Sequence, residues 1–151
     1  MNTADNTPAQ TYALVIGAVL LLAGIIGFFY EASFSGDDRS AVLGILDVNG
    51  VHNLVHIASG VAGLLAWRAG AGASRQYALV FGVVYLLVTI WGFIIGDGEA
   101  ILGILPVNTE DNILHLILGV LGLGAYAASD PERGEVRDRP AGTGAAARRA
   151  T

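Results

Sequence analysis

The run YALVIGAVLLLAGIIGFFY, Tyr12 to Tyr30, carries no charge in 19 residues. At about 1.5 Å per residue, a helix of that length matches the roughly 30 Å hydrocarbon core of a bilayer. Lipid leaves a chain few options, because every backbone polar group there must be satisfied within the protein. The run also recurs. YALVFGVVYLLVTIWGFII, Tyr77 to Ile95, matches it at 11 of 17 aligned positions from Tyr12 and Tyr77 onward, and Ala41–Leu65 matches Ala100–Gly124 at 13 of 25. The second match keeps LGIL, the VN pair, Asn53 with Asn112 and His56 with His115. A duplication therefore constrains the fold more than any single segment.

Each copy holds two apolar runs, so four spans are expected, at about 12–30, 51–67, 77–95 and 112–128, within a membrane domain of 12–128. A unit of two spans enters the membrane twice in the same direction, which places a pseudo-two-fold axis along the membrane normal and excludes an inverted repeat. The expected fold class is all-α: an integral membrane four-helix bundle built from two duplicated, parallel-oriented helical hairpins. Nothing basic precedes Tyr12, so the first run reads as a retained span and not as a secretory signal. AVLGIL and AILGIL are too short to span, and are expected to lie at the outer interface as a short helix or turn over the mouth of the bundle.

Charge placement sets the orientation. The loop Arg68–Gln76 has Arg68 and Arg75 and no acid, whereas Glu31–Gly50 has four acids against Arg39, and Asp97–Asp111 has four acids and no base. Because short cytoplasmic loops hold an excess of basic residues, the two long loops face out and both termini lie in the cytoplasm. Residues 1–11 then form an N-terminal cytoplasmic tail. Residues 129–151, with Pro131, Pro140 and a Gly/Ala-rich end, are too poor in apolar side chains to fold alone and are expected to be a disordered cytoplasmic tail. Only 14% of the residues are charged and the net charge is −5, which disfavours nucleic acid as a partner. Small-xxx-small pairs, Ala23 to Gly27 and Ser59 to Gly63, suit close helix packing within the chain, in a homo-oligomer or in a larger membrane complex.

The segment LGILDVNGVHNLVHIASGVAGL carries an Asn-x-x-His-x-x-x-Gly core, with His52, Asn53, His56, Gly60 and Gly63 its most specific residues. Over about Tyr12 to Ala128 the chain resembles the bacterial membrane family called domain of unknown function 4383. The resemblance implies a four-span protein of the bacterial inner (plasma) membrane with no assigned activity, and it supplies no catalytic residues.

The polar residues inside the spans are the candidate site. Asn53 and His56, like Asn112 and His115, are three apart and share a helix face. One reading makes each pair a structural clamp, with a neutral imidazole donating to a carbonyl, since polar groups at membrane depth must be satisfied whatever their role. The alternative makes the repeated motif a haem- or metal-binding module: His56 and His115 as cofactor ligands to a haem, or His52, His56, His115 and Asp111 around a metal ion. No cysteine is present for a thiolate site, and Asp111 at a helix start also suits the helix dipole. No phosphate loop, HExxH, serine elbow or pair of intramembrane carboxylates occurs, so the expectation is a non-enzymatic structural or accessory membrane component without a cofactor.

Overall fold

The structure, a computed structural model, describes residues 6–129. It contains α1 (Pro8–Gly27), β1 (Ser40–Val42), β2 (Leu46–Val48), α2 (Gly50–Ala69), α3 (Ala71–Ile95), β3 (Ala100–Ile101), β4 (Leu105–Pro106) and α4 (Thr109–Ala128). Most of the described chain is helical. Three helices, α1, α3 and α4, are long and apolar enough to cross a membrane; α2 has the same 20 residues as α1 but carries His52, Asn53, His56, Ser59 and Arg68.

Sequence chemistry sets the helix starts. Thr7 caps α1 in a reciprocal box: its hydroxyl accepts from the Gln10 amide at 3.2 Å while its own amide donates to Gln10 Oε1 at 3.0 Å, with Pro8 in the first turn. The helix thus begins before Tyr12, and residues 8–11, expected as tail, are helical. Residues 1–5 and 130–151, which carry the rest of the two expected tails, lie outside the described residues. Ser129 is tied down, its Oγ accepting from the Ala9 amide at 2.9 Å and donating to the Ala125 carbonyl at 2.8 Å.

The AVLGIL and AILGIL segments make the expected turns, but flanked by short strands in place of a helix, which adds two small β-hairpins to an otherwise helical fold. Each forms an antiparallel β-hairpin, β1 with β2 (Ala41 opposite Asp47) and β3 with β4 (Ala100 opposite Pro106). Six residues are too few for a stable helix, whereas a hairpin pairs the backbone across the turn. The turns use the left-handed region at Leu43 and Gly44 (φ 54° and 74°) and at Leu102 and Gly103 (φ 56° and 71°). Glycine adopts that conformation freely.

Helix α1 packs chiefly on α2, and α3 on α4, with lighter contacts between the pairs. Glycines make the seams. A Cβ on Gly60 would meet the Gly17 carbonyl at 2.7 Å, and one on Gly119 the Gly82 carbonyl at 3.2 Å, so the backbones touch where any side chain would part them. The centre holds Tyr12, Leu20, Ala78, Phe81, Tyr85 and Leu118. Large apolar side chains such as Leu22, Leu87, Ile90 and Val120 point outward and are more than half exposed, the arrangement of a protein whose solvent is apolar.

Candidate functional site

Helices α2 and α4 each start at an asparagine. Asn49 Oδ1 accepts from the His52 amide at 2.9 Å, and Asn108 Oδ1 accepts from the Asp111 amide at 2.8 Å. Both caps use their amide nitrogens to reach across the molecule: Asn49 Nδ2 donates to the Ile104 carbonyl at 2.8 Å, and Asn108 Nδ2 to the Ile45 carbonyl at 2.7 Å. Each helix start is thereby stitched to the turn of the other hairpin. The repeated VN pair in the sequence carries this role; an asparagine three residues ahead of His52 or Asp111 at the start of a helical run is the capping signal that marks it.

One turn further in, Asn53 is fully buried and its Nδ2 donates to the Glu31 carbonyl at 2.8 Å, just past the end of α1. Its side chain lies flush on Gly27, where a Cβ would overlap it, and Asn112 lies on Gly92 in the same way. Asn53 clamps α2 to the chain leaving α1. Among the described residues, the Oδ1 atoms of Asn53 and Asn112 have no hydrogen-bond partner.

The histidines do not share that arrangement. His52, His56 and His115 come together, one potential ligand nitrogen from each lying within 4.8 Å of the others. The rings of His52 and His56, one helical turn apart, are 4.5 Å between centroids; His52 and His115 are 6.1 Å apart. Tyr85 of α3 meets His115 edge to face at 5.0 Å. His52 and His115 are buried, and the Nδ1 atom of each lacks a hydrogen-bond partner among the described residues. These imidazoles, with Phe81 and Tyr85 and with Ile101, Leu105 and Val107 from the second hairpin, line a cavity of about 90 Å³.

Asp111, the fourth residue considered for a metal, is placed elsewhere. Its Oδ2 accepts from the Asp47 amide at 3.0 Å and from the Asn108 amide at 3.2 Å, so this carboxylate holds a capping box and the first hairpin. The cavity is well below the several hundred Å³ typical of organic-ligand sites.

Four helices with three apolar enough to cross a bilayer, closed at one end by two β-hairpins and three clustered imidazoles, define a small helical protein of membrane type. The profile described as Domain of unknown function (DUF4383) matches residues 10–128, and the chain belongs to that family. No curated protein and no solved structure matches it.

Proposed function

We propose that the chain is a multi-pass protein of the bacterial plasma membrane, with four spans in two duplicated, parallel-oriented hairpins and both termini cytoplasmic. In this reading it is a non-enzymatic structural or accessory component, free of haem, that self-associates or joins a larger membrane complex. The observation that carries the duplicated architecture is the pairing of contacts at equivalent positions. Tyr12 Oη donates to the Leu118 carbonyl at 2.9 Å and its counterpart Tyr77 to the Ser59 carbonyl at 3.2 Å; Tyr12 faces Gly122, and Tyr77 faces Gly63. With the reciprocal Asn49 and Asn108 bonds, these contacts support an approximate two-fold between the halves.

The accessory role is supported by where the polar groups go. Asn49, Asn53, Asn108, Asp111, Tyr12 and Tyr77 are each engaged in holding one element to another, and the outward faces of the helices are apolar. An outward apolar face with glycine-tight seams suits lipid or another membrane helix. Protein solubilised gently from native membranes should migrate as an oligomer or with a co-purifying membrane partner. Recovery only as a lone monomer, with and without mild cross-linking, would remove the accessory-subunit reading while leaving the span topology standing.

A further inference from the structure

The two halves differ at the start of their second helices, although both keep the asparagine cap there. Asp111, in the second half, reaches across to accept the Asp47 amide. Its equivalent is His52, and the residue equivalent to Asp47 is Pro106; the backbones of Asp47 and Pro106 both lie beside the His52 ring. Proline has no N–H. A carboxylate at position 52 would therefore lose the cross-molecule donor that Asp111 enjoys, and the side chain there is released from the capping role. The ring also neighbours His56 and His115, which are themselves equivalent residues drawn together from the two halves. The aromatic wall is one-sided as well: Phe81 and Tyr85 line the cavity, where the first copy has Ile16 and Leu20.

We infer that His52, His56 and His115 form a binding site for a single divalent cation of the zinc type, with the cavity as its fourth, exchangeable position. Three observations converge on it. Three imidazoles bring ligand nitrogens within 4.8 Å of one another. Tetrahedral coordination at the usual Zn–N distance needs about 3.3 Å between them, a closure that modest ring rotations supply. The Nδ1 atoms of His52 and His115 are buried without a partner, each an unmet polar group whose burial is costly; one ring nitrogen of each imidazole can instead serve as a ligand. Finally, the donor set is all imidazole, with no carboxylate among the three and no cysteine in the chain, which favours zinc and related late first-row cations over calcium or magnesium.

Three neutral ligands leave the charge of a dication uncompensated in a buried site. A cavity of about 90 Å³ has room for a water as fourth ligand. A zinc-bound water ionises near neutral pH, releasing its proton to solvent, and the hydroxide that remains lowers the net charge. Ile101, Leu105 and Val107 line this position from the second hairpin.

The test uses the full chain in detergent, without a polyhistidine tag, stripped with chelator and titrated with Zn²⁺ alone. One ion per chain should bind, with affinity falling at least about tenfold, the least that loss of even a supporting group costs, in each of His52→Gln, His56→Gln and His115→Gln. Asp111→Asn should bind as the wild type does. Co²⁺ on the wild type should give the visible absorption of a tetrahedral site, a readout that needs no variant to fold. Absence of saturable binding by the wild type overturns the proposal, as does binding unchanged by His52→Gln. A Soret band in protein from a haem-replete host, lost in His56→Gln and His115→Gln, would assign the histidines to haem and overturn it too. None of these outcomes depends on whether the protein is an accessory subunit.

Discussion

Asn53 and Gly27 act as one unit, as do Asn112 and Gly92: the glycine has no Cβ so that the amide can lie on the neighbouring helix. Two kinds of substitution separate the contributions. Gly27→Ala or Gly92→Ala drives a methyl into a buried amide that has nowhere to move, and overpacking of that sort costs about 1–3 kcal/mol. Asn53→Ala relieves the crowding but frees the Glu31 carbonyl; within a membrane bundle such a bond contributes roughly 0.6–2 kcal/mol. The double change Gly27→Ala with Asn53→Ala should then cost less than the two single changes summed, which thermal melts in one detergent would measure. Strict additivity would mean that the two residues do not share a contact.

Gly70 alone joins α2 to α3, at φ 106° and ψ −173°, a conformation essentially confined to glycine. Gly72, two residues on, lies within α3 with open space where a side chain would go. Gly70→Ala should therefore lower stability by about 1–3 kcal/mol, whereas Gly72→Ala should raise it by about 0.5–1 kcal/mol through helix propensity; comparing their melting temperatures checks both signs. This joint was legible beforehand only as the short basic loop between apolar runs. Helices α1 and α3 were likewise plain in the runs that begin at Tyr12 and Tyr77, because an uncharged stretch of bilayer length permits few structures. The hairpins were not legible: AVLGIL has no alternation of apolar and polar residues, and its strand pairing rests on Leu43 and Gly44 entering the left-handed region. At the candidate site, the inward placement of His56 and His115 followed from helix spacing. His52 was named beside them as a metal candidate; the departure of Asp111 was not legible, because it turns on the Asp47 amide that the carboxylate accepts across the molecule.

Taken whole, the molecule has one end stitched by hairpins and asparagine caps and the other by the short link at Gly70, with apolar side chains facing outward between them. That division makes sense if every helix crosses the bilayer, and α2 is where the proposal is most exposed. Its polar residues keep it from qualifying as a span by composition alone, yet Asn53, His52 and His56 point into the bundle and are shielded there by α1, α3 and the second hairpin. A helix with polar groups on the inner face and Leu54, Val61 and Leu65 on the outer needs neighbours before it can enter lipid. The chain lacks cysteine, so single cysteines report cleanly. Ser35, in the segment between α1 and β1, and Gly72, just past the link between α2 and α3, lie at opposite ends of α2. Cells carrying Ser35→Cys or Gly72→Cys, treated with a thiol reagent that does not cross membranes, test the crossing of α2 directly. Ser35→Cys should be labelled in intact cells and Gly72→Cys only after the membrane is opened. Labelling of both from the same side would contradict the four-span topology, because α2 would not then cross the membrane.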